Sequence, residues 1–298
     1  NPSGASAEEV VFKAGWLRLF AQAPEVYSLL SRHCLGHVPD VLATARQGDE
    51  TWTLFRAFDG PTVASLRRPE PLLDLARTLA HIQSTIADPP TAEKQPLPRT
   101  PLTLLPMMFD TVLRDVRERH APFWQSTEGQ PLAQHFHLPA DPAAQMEAYR
   151  PFIRQWTDEL QQGNWPESID HVDLHWENAI LQPDGRILIY DWEEAALSCP
   201  FFSLDRLLDD ARELDGLGES GSDTSPTERR LRDAYLDALP WHTRDRRERA
   251  LNLALCLAPI KTAYEGILLS EALDWDEGMP NVTAWALARA LPRWSAMM

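Results

Sequence analysis

The chain is expected to fold as an α+β protein of two unequal parts, a small strand-bearing N-terminal unit and a larger, mainly helical remainder. Two observations predict this. Short apolar runs bounded by turn residues crowd the first sixty residues. Beyond them, apolar residues recur at steps of three and four, the mark of helices with one buried face, broken by one stretch of strand character between residues 169 and 191. With 298 residues, 44% apolar and 24% charged, the chain can enclose a substantial core. The division is placed between residues 1–60 and residues 61–298.

In the first part, Val10 to Lys13 reads as a short strand and residues 24–33 as a helix with Val26, Leu29 and Leu30 on one side. Strands follow at Asp40–Ala45 and Thr51–Phe58, with Gln47-Gly48-Asp49 as the turn, and Gly60-Pro61 stops the second. In the second part, Leu72, Leu75, Leu79, Ile82 and Ile86 share a helix face. The proline-rich connection from Asp88 to Pro106 reads as an exposed loop, and 107–120 as helical. Asp141-Pro142 supplies an N-cap and a first-turn proline for a long helix burying Met146, Tyr149, Ile153, Trp156 and Leu160, closed by Gly163-Asn164. Strands are expected at 169–174, 179–181 and 187–190, the last two joined by the turn Pro183-Asp184-Gly185. Gly216–Asp223 reads as a mobile connection, and Ser225-Pro226-Thr227-Glu228 as a capping box that opens the next helix.

Composition narrows the function. A net charge of −16 repels phosphate backbones, so nucleic acid is not an expected partner, whereas a cation would be drawn in. No apolar run reaches the length of about 18 residues that spans a membrane; the best, Leu251 to Ile260, is too short. Cys34, Cys199 and Cys256 are too few and too scattered for a disulfide framework and read as buried small hydrophobes. Asn1-Pro2-Ser3-Gly4 is no secretory leader, and a cytoplasmic location is expected.

The chemistry concentrates in His171-Val172-Asp173-Leu174-His175-Trp176-Glu177-Asn178, followed thirteen residues later by Asp191 in Ile189-Tyr190-Asp191-Trp192. Phosphoryl transfer asks little covalent chemistry of a protein. It needs a carboxylate to accept the hydroxyl proton and oxygen ligands that hold magnesium on the phosphates. A carboxylate on a loop, an asparagine five residues on and a second aspartate across a hairpin meet that need. Asp173, Asn178 and Asp191 have these types and this spacing.

This stretch resembles the aminoglycoside phosphotransferase and choline kinase family, whose signature is His-Gly-Asp-Leu-His-x-x-Asn followed by a hydrophobic-Asp-Trp segment. His171, Asp173, Leu174, His175, Asn178, Asp191 and Trp192 match it; Val172 departs, standing where glycine is usual. The resemblance implies a bilobal protein-kinase-like fold, Asp173 as catalytic base, Asn178 and Asp191 as magnesium ligands, and His171 as a brace for the loop. Asp205, in Phe201-Phe202-Ser203-Leu204-Asp205, is expected to support the catalytic loop. Lys13 and Glu25 look like the lysine that grips nucleotide phosphates and the glutamate that holds it. Leu54 to Phe58 looks like the hinge against adenine, with Arg56 and Phe58 beside the nucleotide. ATP or GTP and Mg2+ are the implied donor and cofactor. Two strands and a glycine-rich loop would precede Lys13, yet only twelve residues do. The sequence is therefore expected to begin inside a longer chain or to lack that part, the other reading being a reduced lobe with weak or absent nucleotide binding.

Rivals make different demands. Alternating His171, Asp173 and His175 on a strand could bind zinc in a hydrolase, which would leave Asn178 and Asp191 unexplained. A pseudokinase or binding module would account for the missing glycine-rich loop. Within the kinase reading the acceptor is a hydroxyl on a small, amine-bearing molecule such as an aminoglycoside, held by acids drawn from Glu177, Glu193, Glu194, Asp209, Asp210, Glu265 and Glu271. Of eleven tryptophans, Trp176, Trp192 and Trp275 are the candidates to stack on it. A Ser or Thr hydroxyl of a biosynthetic peptide is the alternative acceptor.

Overall fold

The computed structural model describes residues 9–89, 91–217, 225–275 and 278–298. The smaller part is built from β1 (Val10–Gly15), α1 (Ala23–His33), β2 (Val41–Gln47) and β3 (Glu50–Arg56). The larger part begins with α2 (Val63–Leu66), α3 (Pro69–Ala87), α4 (Thr91–Lys94), α5 (Leu105–Asp115), α6 (Ala121–Gln125), α7 (Gln130–His135) and α8 (Pro142–Gln162). Four short strands follow: β4 (Ser168–Asp170), β5 (Ala179–Leu181), β6 (Ile187–Ile189) and β7 (Ala196–Ser198). The chain ends in α9 (Leu204–Leu214), α10 (Pro226–Ala238), α11 (Arg244–Ala272) and α12 (Pro280–Ala296).

β3 lies at the centre of an antiparallel sheet ordered β1-β3-β2, with Lys13 opposite Thr53. Its alternation places Thr51, Thr53 and Phe55 inward. Phe55 meets Tyr27 of α1 edge-on, ring centroids 4.7 Å apart. α1 buries Val26, Leu29 and Leu30, the face its spacing predicts. Gly60 then lets the chain turn into the larger part. At φ 149° it adopts a backbone closed to other residues, and a Cβ there would lie 2.2 Å from the Leu181 carbonyl oxygen. The close approach lets the Leu181 N–H donate to Pro61 O at 3.0 Å, setting the small sheet beside the β5–β6 hairpin.

α3 is the spine of the larger part. Leu72, Leu75, Leu79, Ile82 and Ile86 are fully buried. At about 2 kcal/mol per buried side chain, measured against an extended chain, that stripe alone stabilises the fold by roughly 10 kcal/mol before conformational entropy is counted. α8 buries Met146, Tyr149, Ile153, Trp156 and Leu160 as its pattern predicts. Its cap is as expected too, Asp141 Oδ1 accepting from Ala144 N at 2.9 Å. Ser225 likewise caps α10 by accepting from Glu228 N at 2.9 Å. Residues 218–224, most of the Gly216–Asp223 run, lie outside the described residues.

Three expectations are corrected. The proline-rich connection is not simply an exposed loop. It contains α4, and its middle pairs with β7: Leu197 N donates to Pro98 O at 2.8 Å and Thr100 N to Leu197 O at 2.9 Å. The strand expected at 169–174 stops at Asp170, because Val172 takes a left-handed backbone, φ 73°, that no ladder accommodates. The apolar run Leu251–Ile260 is the middle of the 29-residue helix α11. That helix is long and apolar enough to cross a membrane, but 72% of its most apolar window is buried within the protein, as in a core helix. Cys34, Cys199 and Cys256 are free and buried, as expected.

Candidate active site

The segment between β4 and β5 forms a tight loop, and its geometry follows from a few buried polar side chains. His171 is fully buried and its ring packs 4.3 Å from that of Trp192. Burial lowers its pKa to about 4, so the ring is neutral, and Nε2–H donates to Tyr190 O at 2.9 Å. That bond ties the loop to the chain just before Asp191. Asn178 N–H donates to His175 O and Asn178 Nδ2 to Asp173 O, both at 2.9 Å, closing the loop on itself. Tyr190 N–H donates to Asn178 O at 3.0 Å and carries the hairpin back alongside. Asp173, Asn178 and Asp191 thus lie within one hairpin. Asp191 also has a left-handed backbone, φ 68°. Two non-glycine residues in this region within one site mark a backbone held in place by its surroundings.

Lys13 reaches across from β1 and forms ion pairs with Asp191 and, at 2.6 Å, with Glu193. Burial would push the Asp191 carboxyl up. The hydrogen bond from Glu193 and the Lys13 ammonium outweigh it and bring the carboxyl down to about 2. Burial and the Asp191 charge together push Glu193 up to about 7. Tyr27 locks the same corner, donating from its hydroxyl to Glu193 Oε1 and accepting from Trp192 N, each at 3.0 Å. Asp191 is therefore firmly ionised, whereas Glu193 carries a proton up to near neutrality.

A cavity of about 620 Å³ opens beside Asp173, walled by Glu193, Glu194, Glu265, Arg206 and Trp285. Arg206 pairs with Asp173 Oδ1 and lies 5.7 Å from the Trp285 ring. A smaller cavity of about 200 Å³ lies between Lys13, Asp173, Asp191 and Glu193. An acidic wall and an aromatic face beside a carboxylate suit a cation that carries a hydroxyl.

The fit to magnesium follows from the donor set. Asn178 spends its amide N–H on the Asp173 carbonyl, which leaves its side-chain oxygen to bind, and Asp191 is ionised. Two hard oxygens beside phosphate oxygens meet the preference of this ion, which binds few protein ligands. Among the described residues no group of three or more His, Cys, Asp or Glu side chains is arranged to hold a metal. The zinc alternative also fails on orientation: the His171 ring faces Trp192 and Tyr190 O, while His175 Nε2 lies 3.8 Å from Asp173.

Other expected residues fall elsewhere. Glu25 does not hold Lys13; it pairs with Arg46 at 3.1 Å, and Glu193 takes its expected place beside the lysine. Arg56 reaches Asp40 at 3.1 Å rather than a nucleotide site. Within the expected hinge, Ala57 N–H donates to Glu9 O at 3.0 Å, and the Phe58 ring lies 5.6 Å from that of Tyr190. Asp205 does not support the catalytic loop. It is buried between Arg289, at 2.7 Å, and Arg293, at 2.5 Å, and fastens α9 to α12. Ser203 and Asp170 take that task. Ser203 Oγ accepts from His171 N at 2.9 Å and donates to Asp170 Oδ1 at 2.7 Å. Of the acceptor candidates, Glu193, Glu194 and Glu265 line the large cavity, whereas Asp209 pairs with Arg289 at 3.0 Å and Glu177 is exposed. Trp176 and Trp192 are buried and Trp275 is exposed; Trp285 is the tryptophan on the cavity wall.

Asp210 lies beneath the loop and accepts from Trp176 N at 2.7 Å. Burial pushes its carboxyl up to about 7, against the lowering effect of that bond. The unfolded chain releases this proton near the ordinary value of about 3.9, so the stability that goes with the neutral form is complete at low pH and is lost as pH rises through 7. Asp210→Asn is expected to raise Tm relative to the parent by an amount that grows between about pH 4 and 7 and then levels, reaching several degrees. A difference in Tm that does not change with pH would contradict this origin.

Comparison with solved structures agrees with the geometry. Ethanolamine kinase from Plasmodium vivax superposes with a TM-score of 0.60 at 12% identity, over 93% of this chain and 73% of that one. An aminoglycoside phosphotransferase from Alicyclobacillus acidocaldarius gives 0.53 at 15% identity, over 97% and 86%. A spectinomycin phosphotransferase in its AMP-bound complex gives 0.52 at 12%, over 94% and 87%. The chain has the protein-kinase-like fold. No family model matches the sequence, and no curated protein does. In this bilobal kinase-like fold, the β1-β3-β2 sheet with α1 forms the smaller lobe and the helical body the larger, and Asp173 and Asp191 meet Lys13 at a cavity between them. At 12–15% identity these likenesses are of fold, shared over most of the chain.

Proposed function

We propose that the chain is a magnesium-dependent phosphotransferase that moves the γ-phosphate of ATP or GTP to a hydroxyl of a small, cationic acceptor. What carries the reading is the meeting at one cleft of Asp173, Asp191 and Lys13, with Asn178 bonded to the Asp173 carbonyl behind them, next to a cavity with an acidic wall. Asn178 and Asp191 would hold magnesium, which would supply charge stabilisation on the phosphates. Lys13 presents an ammonium to the phosphates from the small lobe. Asp173 accepts the acceptor's hydroxyl proton, and its backbone, bonded to Asn178, keeps the base and the metal ligand in register. Arg206 holds the Asp173 carboxylate toward the cavity until the hydroxyl arrives. Glu194 and Glu265 receive the acceptor's amines, and Trp285 covers a sugar ring or cation. Aminoglycoside-like amino sugars are the leading class, and the cytoplasm the compartment in which nucleoside triphosphate is available.

The test has two steps. Calorimetry with ATP and with GTP, with and without magnesium, reads the donor; a panel of amino sugars, amino alcohols, neutral sugars and Ser- or Thr-bearing peptides reads the acceptor. Magnesium-dependent nucleotide binding with turnover on amines is the expected result. Phosphorylation of neutral sugars but not of amines would overturn the cationic acceptor, and turnover on peptides alone would transfer the reading to a peptide kinase.

A further inference from the structure

Val172 stands beside the catalytic base with φ 73°. A β-branched residue in this region costs on the order of 1–3 kcal/mol and persists only where its surroundings enforce it. The enforcing group is visible. Asp170 Oδ1 accepts from Val172 N–H at 3.2 Å and from Ser203 Oγ at 2.7 Å. Its other oxygen, Oδ2, lies 3.1 Å from the ammonium of Lys261. Both Asp170 and Lys261 are almost fully buried. Lys261 projects from the interior of α11 and also pairs with Glu265, one turn on and on the wall of the large cavity.

A buried lysine is costly unless its partners repay the desolvation. Burial would lower the pKa of Lys261, but the charges of Asp170 and Glu265 raise it instead, so the ammonium persists. A core lysine held charged between a catalytic-loop aspartate and a cavity glutamate has a use that an apolar residue would not. We propose that Lys261 is a positioning residue for the phosphotransfer reaction: through Asp170 it fixes Val172 in its left-handed conformation and so sets the place of Asp173, and through Glu265 it ties that setting to the wall of the acceptor cavity. The inference rests on the phosphotransferase reading only for its kinetic consequence.

Geometry supplies the test. Glycine adopts a positive φ without strain, so at position 172 it would not need Asp170 to hold it. The Lys261→Met change keeps length and volume but removes the charge. In the parent background, K261M is expected to lower kcat for magnesium-dependent ATP hydrolysis, with water as acceptor, by about tenfold while leaving KM for ATP within about twofold, the pattern of lost positioning rather than lost binding. In the V172G background the loss from K261M should shrink to about threefold or less, and its Tm cost should shrink in step. A purely structural ion pair predicts the same loss in both backgrounds, and that additivity overturns the proposal, as would a rise in KM equal to the fall in kcat. If K261M does not fold, Asp170→Asn, which keeps an acceptor for Val172 and Ser203, runs the same cycle against V172G. Absence of ATP hydrolysis in the parent protein would count against the phosphotransferase reading alone; the Tm cycle then decides the loop proposal by itself, coupling supporting it and additivity overturning it.

Discussion

Asp173→Asn is expected to lower turnover by about a hundredfold or more, the lower end of what a positioned general base contributes. The change is nearly isosteric. Asparagine retains an oxygen for Arg206, and the backbone carbonyl that receives Asn178 Nδ2 is untouched. What disappears is the ability to accept the hydroxyl proton as it develops. Because Asp173 faces the acceptor cavity as well as the smaller cavity beside Lys13, the nucleotide should still bind with close to its parental affinity. Steady-state kinetics paired with nucleotide calorimetry checks this, and an equal loss of nucleotide affinity would remove Asp173 from the role of base.

Asp191→Ala is expected to act on the other quantity. Asp191 is held ionised, at about 2, through its hydrogen bonds with Glu193 and Lys13. Its removal should weaken magnesium–nucleotide binding by about a hundredfold, roughly 3 kcal/mol, and abolish the difference between titrations with and without the metal. The fold should survive, since the carboxylate is partly exposed and Lys13 retains Glu193. An unchanged Tm shows that directly. Persistence of the metal dependence would deny Asp191 its assignment.

The two sets of residues behind these expectations differ in how visible they are in the sequence. Asp173, Asn178 and Asp191 lie on one loop and hairpin, so their spacing along the chain is nearly their arrangement in space. The same holds for helix faces such as Leu72 to Ile86, and for Asp141 and Ser225, whose capping partners are three residues away. Long-range electrostatics is different. Glu25 was the natural partner for Lys13 by position, but Arg46 on the neighbouring β2 claims it, and Glu193 from the distant hairpin faces the lysine instead. Asp205 sits after the metal aspartate as expected, yet two arginines of α12 take its carboxylate, and a serine two residues earlier does the bracing. Asp170, Lys261 and Trp285 carry no local signal at all. The pairing of Lys261 in α11 with Asp170 of β4, and the place of Trp285 on the cavity wall, give them a role that only the folded chain shows. The strand expected through residue 174 failed for a related reason: its apolar alternation is genuine, but the positive φ of Val172 breaks the ladder after Asp170.

The contact of Lys13 with Asp191 and Glu193 has one more consequence. Charges that span the cleft fasten the small lobe to the large one, and the Tyr27 hydroxyl adds a second fastening at the same corner. On the proposed reading these are the groups that a phosphate and its metal would claim. Lys13 thus has its counter-ions within the chain, and on that reading a triphosphate would enter by exchanging one set of ionic partners for another. On the same reading the cleft would favour ligands that bring both signs of charge, an anion for Lys13 and a cation for Asp191.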